Sequence, residues 1–244
     1  AQDMKTVDGK VAVKKDALIE TAITGTDGKT TTASIVKKLI GDAAYIGTNG
    51  LSVVDKHFST SNTTPCVSEL YKDLKTISDN SCSNVVMEVS SEALLHDRVK
   101  NLKYKIVGFT NITEDHLNVH KTFENYRACK LKLLDLVEED GIVIVNGDDN
   151  NLSNIECNNK YSFGFSEVND YIISDVVYEK DGFQLAIKGI CNGDKLIEVE
   201  TNENDQFNSI EKLINRVNQL DIPIYTDNYF VKKAEIELNK ILKR

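Results

Sequence analysis

The sequence predicts an α/β fold, with a mostly parallel sheet that has helices on both faces and carries a small antiparallel β meander. Up to about residue 150, short apolar runs alternate with segments whose apolar residues recur every three or four positions. This alternation of strand and helix is typical of a parallel sheet. Further along, short strand-like runs are joined by turns at 180–182 and 192–194, which predicts antiparallel pairing.

Each element follows from its apolar spacing and from the turns that bound it. In the parallel part, strands are predicted at residues 18–23, 43–46, 84–89, 104–110 and 141–145, and helices at 30–40, 67–77 and 123–137. The meander is predicted at 161–165, 171–178, 183–188 and 195–199, followed by helices at 208–220 and 231–243 with a strand at 222–225 between them. We expect one domain over residues 1–205. We expect residues 206–244 to form a C-terminal helical segment, either a remnant or a different ending.

The composition excludes several classes of protein. A net charge of −9 argues against general binding to nucleic acid or to anionic membranes. No run approaches the roughly 20 apolar residues that span a bilayer, and the first residues lack the apolar core of a secretory signal. The five cysteines show no CxxC pairing. We therefore expect reduced, mostly buried thiols and a cytoplasmic protein.

Polar clusters follow three of the predicted parallel strands, after Ile23, Met87 and Phe109. In open parallel sheets, ligands bind at the carboxyl ends of the strands. The three clusters therefore predict where the functional site lies.

The first cluster, residues 24–32, predicts a phosphate-binding loop of the P-loop type, because it follows a strand and opens a helix. Gly25 and Gly28 let backbone N–H groups approach phosphate oxygens, and the helix N-terminus adds unpaired donors. Lys29 can reach the β- and γ-phosphates, and the Thr30 hydroxyl can bind Mg²⁺. The other predicted nucleotide contacts in the loop are Thr26, Asp27 and Thr31. The first glycine of the standard spacing is absent, so a strand–helix turn with a coincidental lysine stays as the alternative.

The shortened loop, Thr-Gly-Thr-x-Gly-Lys-Thr-Thr, resembles that of the Mur ligases, which build the peptide of bacterial cell wall precursors. Further segments match the family in the right order: Thr-Thr-Pro at 63–65, Glu-Val-Ser-Ser at 88–91, Asn-x-x-x-Asp-His-Leu at 111–117 and, at 122–130, a segment that resembles the family's Tyr-x-x-Ala-Lys helix. The Thr-Thr-Pro and Ser-Ser segments resemble the MurE type, which adds the third amino acid to UDP-N-acetylmuramoyl-dipeptide. The resemblance covers about residues 22–164.

The resemblance implies the family's central ATP-binding domain and its chemistry. ATP phosphorylates the terminal carboxylate of a UDP-N-acetylmuramoyl-peptide, and the amino group of an amino acid then attacks the acyl phosphate. The implied cofactors are ATP and Mg²⁺. Lys29 would steady the β,γ-phosphates, and Thr30 would hold Mg²⁺. Glu88 and His116 would bind a second Mg²⁺, near Lys130 as a carbamate.

The resemblance also assigns substrate contacts. The UDP-peptide would meet Thr63, Thr64, Ser90 and Arg98, and Asn208 would help to hold adenine. Several of the implied residues have an ordinary alternative. Glu88 would hydrogen-bond a neighbouring loop, His116 would be a loop histidine, Lys130 a solvated lysine and Arg98 a surface ion-pair residue. An imidazole ligand is unusual for Mg²⁺, so the role of His116 rests on the resemblance.

The sequence departs from the family at several positions. Glu92 stands where a histidine is usual, and His96 stands where a glutamine is common. In the segment 205–211, Phe207 and Asn208 match, but the family's glycine and second asparagine are missing. We also expect the family's UDP-binding and amino-acid domains to be absent, so that this chain alone forms no amide bond.

Three functions stay open at this point. The first is a Mur-type ligase or its ATPase core. The second is a non-catalytic nucleotide-binding module that acts with a partner protein, which the expected absence of two domains favours. The third is an unrelated P-loop hydrolase or kinase, against which the short loop and the series Glu88, His116 and Lys130 argue.

Overall fold

A computed structural model describes residues 4–5, 11–13, 19–179, 182–189 and 197–201 of the chain. Two short strands near the start, β1 (Met4–Lys5) and β2 (Val11–Val13), pair antiparallel with each other. The remaining described strands form one sheet. They are β3 (Ile19–Thr24), β4 (Ala43–Gly47), β5 (Gly50–Val53), β6 (Lys56–Phe58), β7 (Asn84–Glu88), β8 (Tyr104–Phe109), β9 (Val137–Asn146), β10 (Lys160–Gly164), β11 (Tyr171–Glu179), β12 (Gly182–Gly189) and β13 (Ile197–Thr201).

The strand order in this sheet is β13-β12-β11-β10-β9-β8-β3-β7-β4-β5-β6. From β11 to β4 every neighbouring pair is parallel, and the strands at both edges pair antiparallel. The predicted fold class is therefore confirmed. Because β4, β7, β3 and β8 are parallel neighbours, their carboxyl ends meet at one edge of the sheet, where the three predicted polar clusters lie.

Helices cover both faces of the parallel region. They are α1 (Lys29–Ile40), α2 (Val67–Asp79), α3 (Ser91–Leu95), α4 (Leu117–His120) and α5 (Phe123–Leu131), with a 3₁₀ segment at Lys132–Leu136. Successive side chains of a strand point to opposite faces of the sheet. On β7, Met87 packs against residues of α2 and α5 on one face, and Val86 packs against residues of α1 on the other. The apolar residues thus form two clusters, one on each face of the sheet, and their members are fully or nearly fully buried. Each face of the sheet therefore has a hydrophobic core of its own.

Three details differ from the prediction. The helix predicted at 123–137 ends at Leu131 and tightens into the 3₁₀ segment, because Val137 already pairs with Tyr104 of β8. The strand predicted at 161–165 as part of the meander is β10, and it is parallel to both of its neighbours. The hairpin β4–β5–β6 was not predicted, although Asn49-Gly50 at its first turn is a hairpin signal.

The strand predicted at 141–145 begins four residues earlier, since β9 spans Val137–Asn146. The other predicted strands and helices that the structure describes agree with it to within two residues. The helices predicted at 208–220 and 231–243, and the strand predicted at 222–225, lie outside the described residues. Among the helices that are described, none has the length and the apolar character needed to cross a bilayer.

The cysteines in the described part of the chain are all free, in agreement with the prediction of reduced thiols. Cys82 and Cys129 are buried and Cys157 is half-buried. Cys66 is exposed, so the expectation of burial fails for this residue. Cys191 lies outside the described residues.

Candidate functional site

At two points, the loop between β3 and α1 follows a backbone path that favours glycine. Gly28 has φ 79°, a left-handed conformation that costs other residues energy. Gly25 lies so close to the next strand end that a Cβ atom there would be 1.8 Å from Thr110 Oγ1. The two glycines therefore set the shape of the predicted phosphate loop.

The residues that follow β8 hold this loop in place. The Thr110 hydroxyl donates a hydrogen bond of 2.6 Å to the carbonyl oxygen of Asp27. The Asp27 N–H donates to Asn111 Oδ1 at 3.0 Å, and the Thr26 N–H donates to the carbonyl oxygen of Asn111 at 2.8 Å. The segment at 110–111, predicted to lie at the site, is thus the support of the loop.

Two lysines meet at one carbonyl oxygen of the loop. Lys29 Nζ donates to the carbonyl oxygens of Gly25 at 3.0 Å and Thr26 at 2.8 Å. Lys130 Nζ donates to the same oxygen of Gly25 at 2.6 Å and lies 4.7 Å from the ring centroid of Tyr126. Burial lowers the pKa of Lys29, and nearby carboxylates oppose this shift.

Lys130 is only 1% exposed, so it is not the solvated lysine of the alternative interpretation. Burial, and secondly the positive charge of Lys29, lower the pKa of Lys130 to about 7. An amine with this pKa is partly neutral at neutral pH and can act as a nucleophile.

The carboxylate of Glu88, at the end of β7, is fully buried and hydrogen-bonded on both oxygens. Oε2 accepts from the Thr30 hydroxyl at 2.8 Å and from the Thr48 hydroxyl at 3.3 Å. Oε1 accepts from the Thr48 N–H at 3.0 Å and from the Tyr45 hydroxyl. Burial and the carboxylate of Glu88 raise the pKa of Tyr45, so the phenol keeps its proton and donates it to Glu88.

The predicted substrate residues lie beside Glu88. The Thr64 hydroxyl donates to the carbonyl oxygen of Glu88 at 2.8 Å and accepts from the Ser90 N–H at 3.0 Å. Arg98 Nη1 donates to the carbonyl oxygen of Thr64 at 3.0 Å, which is a backbone contact and not the surface ion pair of the alternative. Thr63 Oγ1 lies 3.0 Å from Thr48 Oγ1. The structure thus brings all four residues to the side of the sheet edge where Glu88 lies.

Comparison with known proteins identifies the family. Residues 23–210, which are most of the chain, match the Mur ligase middle domain. The chain belongs to the Mur ligase family. It is similar to the UDP-N-acetylmuramoyl-L-alanyl-D-glutamate–2,6-diaminopimelate ligase of Helicobacter pylori, with 40% identity over 134 residues that cover 53% of this chain and 29% of that relative.

Solved structures agree with this assignment. A UDP-N-acetylmuramoyl-L-alanyl-D-glutamate–2,6-diaminopimelate ligase has a TM-score of 0.67 at 21% identity, and the match covers 93% of this chain and 46% of that chain. The MurF ligase of Thermotoga maritima in complex with ADP has a TM-score of 0.55 at 16% identity, over 88% of this chain and 48% of that chain. At these identities the likeness shows the fold, and this Mur ligase chain spans less than half the length of each of these relatives.

The side chains around Glu88 in this Mur ligase chain offer several oxygen atoms to a cation. Among the described residues, no cluster of three or more His, Cys, Asp or Glu could hold a metal ion. Mg²⁺ takes oxygen ligands and usually needs only one or two carboxylates besides phosphate and water. The Glu88 carboxylate with the hydroxyls of Thr30 and Thr48 is a donor set of this kind, so the residues present fit Mg²⁺ bound with a nucleotide.

His116 makes its described contacts with neighbours other than that donor set of this Mur ligase domain. It precedes α4 in a left-handed conformation with φ 52°, and its Nε2 atom is 3.4 Å from Asp115 Oδ2. Its ring centroid is 6.1 Å from that of Tyr126. No hydrogen bond or ion pair of the described chain joins His116 to Glu88, and the role of His116 as a metal ligand stays a prediction. Asn208 lies outside the described residues.

Sequence reasoning missed four residues of this Mur ligase site. Tyr45 and Thr48 contact Glu88, and Tyr126 links the loop to α5 because its hydroxyl is 3.1 Å from Thr26 Oγ1. His120, to which no role was assigned, is buried with Nε2 3.0 Å from the Ser91 hydroxyl. Only Thr48 carried a signal, since it directly follows a strand at the carboxyl edge. The carboxylates of Asp148 and Asp149 accept backbone N–H groups.

Proposed function

We propose that this chain is the ATP-binding core of a ligase of peptidoglycan precursor synthesis, which activates the carboxylate of a UDP-N-acetylmuramoyl-peptide as an acyl phosphate. One observation carries the proposal. Lys29, from the start of α1, and Lys130, from α5, donate to the same Gly25 carbonyl oxygen. The positive charge of Lys29 at the turn of a glycine-rich loop is suited to the charge of a triphosphate, and the amine of Lys130 reaches the same turn.

The nucleotide half of the site follows from the phosphate loop. The N-terminus of α1 presents backbone N–H groups and the positive end of the helix dipole to the phosphates. Lys29 would exchange its two carbonyl partners for oxygens of the β- and γ-phosphates. Thr30 and Glu88 would hold Mg²⁺, which neutralises phosphate charge when it is bound. His116 and Lys130, the latter as a carbamate, would complete a second cation site.

The acceptor half would lie around Thr63, Thr64, Ser90 and Arg98. A carboxylate oxygen of the peptide attacks the γ-phosphorus, the bond from that phosphorus to the β,γ-bridging oxygen breaks, and ADP leaves. An amine then attacks the acyl carbon, inorganic phosphate leaves, and the amine loses a proton. Holding both reactants in line is the main contribution that such a site makes to phosphoryl transfer. We place this reaction in the cytoplasm, which supplies ATP.

The whole ligation is a property of the longer relatives, of which this chain covers less than half. The alternative is a nucleotide-binding module without catalysis, which the altered segment at 205–211 favours. Both functions need a working phosphate loop, but only the ligase needs Lys130 beside it.

The first experiment is a calorimetric titration of the full chain with Mg-ATP, beside Lys29→Ala and Lys38→Ala. Lys38 lies on the last turn of α1, far along the helix from the loop, and serves as the matched control. We expect binding by the wild type and by Lys38→Ala, and loss of binding in Lys29→Ala. Equal binding by all three variants would show that the loop is not the nucleotide site.

A second experiment separates the ligase from the binding module. ATP labelled with ¹⁸O in the β,γ-bridge scrambles its label only if the γ-phosphoryl group is transferred reversibly. We expect scrambling with UDP-N-acetylmuramoyl-dipeptide present and none without it, and we expect Lys130→Met to abolish it. ATP binding with no scrambling under either condition would favour the non-catalytic module.

A further inference from the structure

Tyr45 is a tyrosine inside the sheet core whose hydroxyl reaches the candidate site. Its side chain is 3% exposed and packs with the apolar cluster on the α1 face, which includes Ile23 and Val86. It pairs across β4 and β7 with Val86, two residues before Glu88. The ring is therefore fixed by the core, and only its hydroxyl extends to the carboxyl edge of the sheet.

The two oxygens of Glu88 have donors of different kinds. Oε1 accepts from the Thr48 N–H at 3.0 Å and from the Tyr45 hydroxyl, whose own oxygen accepts from the Asn49 N–H at 3.3 Å. The donors to Oε1 are thus a backbone group and a phenol that cannot move without moving β4. Oε2 accepts only from the hydroxyls of Thr30 and Thr48. A threonine hydroxyl can rotate its proton and turn a lone pair to a cation, so Oε2 is the oxygen that can take part in cation binding.

Gly47 provides the space for this arrangement. A Cβ atom at Gly47 would lie 2.2 Å from Glu88 Oε1 and 2.3 Å from the Tyr45 hydroxyl oxygen. Any larger residue would displace one of these two groups. The turn after β4 is therefore shaped around the contact between the phenol and the carboxylate.

We propose that Tyr45 is a positioning residue for Glu88: its hydroxyl occupies Oε1, so that only Oε2, flanked by the hydroxyls of Thr30 and Thr48, faces the cation. The inference rests on the proposed function, because it takes Glu88 as a ligand of nucleotide-bound Mg²⁺. Groups that orient a metal ligand typically change metal affinity by about 10–100-fold when they are removed. Thr48 becomes a further oxygen of the cation site.

The test measures Mn²⁺ binding to the full chain with saturating ADP, by electron paramagnetic resonance, with Mn²⁺ as the probe for Mg²⁺. The variants are Tyr45→Phe, which keeps the ring and removes the hydroxyl, and Glu88→Gln, which removes the carboxylate charge. Tyr104→Phe is the matched control, since Tyr104 is also fully buried on the sheet but donates to the sulfur of Met87. The affinity for ADP without metal is measured in parallel.

We expect Tyr45→Phe to weaken Mn²⁺ binding about tenfold, Glu88→Gln to weaken it further, and Tyr104→Phe to leave it unchanged. Metal-free ADP affinity should be the same in the wild type, Tyr45→Phe and Tyr104→Phe, because neither phenol contacts a residue of the phosphate loop. If Glu88→Gln weakens Mn²⁺ binding but Tyr45→Phe does not, the inference is wrong and the proposed function stands. If Tyr104→Phe weakens it as much as Tyr45→Phe, the effect is one of core packing and the inference is also wrong. If the wild type binds neither ADP nor Mn²⁺, both the inference and the proposed function are wrong.

Discussion

The side-chain amine of Lys130 lies 2.6 Å from the carbonyl oxygen of Gly25, which also accepts a hydrogen bond of 3.0 Å from Lys29. Both amines are donors in this arrangement. A carbamate on Lys130 would keep one N–H on the nitrogen but would place two anionic oxygens beside this carbonyl oxygen, which repels them. We therefore expect carbamylation to weaken the hydrogen bond between Lys130 and Gly25, and the positive charge of Lys29 nearby to favour the anionic carbamate.

Carbamylation of Lys130 is expected to depend on pH with a midpoint near neutrality. Only a neutral amine attacks CO₂, and the pKa of Lys130 is lowered to about 7. The carbamate should thus form above this pH and disappear as the pH falls through it, because the amine is then protonated. The measurement is ¹³C NMR of the full chain in ¹³C-bicarbonate. The carbamate signal should be absent from Lys130→Met, and a signal of equal size in that variant would assign it to another lysine.

Replacing Gly25 by alanine is expected to abolish Mg-ATP binding. The added Cβ would lie 1.8 Å from Thr110 Oγ1, so the loop or the end of β8 must move. Gly41→Ala is a matched control, because Gly41 has φ 78° but nothing within 4 Å of the added Cβ. It should lose about 1 kcal/mol of stability from its backbone conformation alone and keep its ATP affinity. Calorimetry measures the ATP affinity of both variants, and urea unfolding measures their stability. Normal ATP binding by Gly25→Ala would contradict the loop geometry.

Removing the cap of α5 is expected to lower stability by a predictable amount. The Thr122 hydroxyl accepts a hydrogen bond of 3.2 Å from the Asn125 N–H at the start of the helix that carries Tyr126 and Lys130. Thr122→Ala should lower the free energy of unfolding by about 1 kcal/mol, measured by urea denaturation. Thr76→Ala is the control, since its hydroxyl donates within α2 at 2.9 Å and contributes little. Equal losses in the two variants would argue against the cap.

The part of the site that is contiguous in sequence could be predicted. The loop at 24–32 combines strand, glycines, lysine and helix start in one segment, and each of these has a local signal. The segments that hold Thr64, Ser90 and Lys130 were found because they resemble the family. That Lys130 is buried did not follow from its helix, where most lysines are solvated; its burial comes from α5 packing beneath the loop.

The contacts that depend on strand pairing could not be predicted. Tyr45 and Glu88 are 43 positions apart and meet only because β4 pairs with β7 in a fixed register. A shift of one residue would turn Tyr45 to the other face of the sheet, and nothing local sets that register. Strand pairing also limits the length of α5, because Val137 pairs with Tyr104 of β8 and so cannot continue the helix.

His120 is a buried histidine next to Ser91 and Tyr126. Burial, and secondly the charge of His116, lower the pKa of His120. The unfolded chain therefore binds a proton at a higher pH than the folded one, and the folded state loses stability as the pH falls below the ordinary histidine pKa of about 6.5. His120→Gln keeps a group that can hydrogen-bond to Ser91 but does not titrate in this range.

Between about pH 7 and about pH 5, the wild type should thus lose more unfolding free energy than His120→Gln does. Urea denaturation at each pH measures the difference. His57→Gln is the control, because His57 is exposed on the edge strand β6, and its pH dependence should follow that of the wild type. If His120→Gln and the wild type lose stability in parallel, His120 is not held neutral in the folded protein, and its contact with Ser91 does not depend on the uncharged ring.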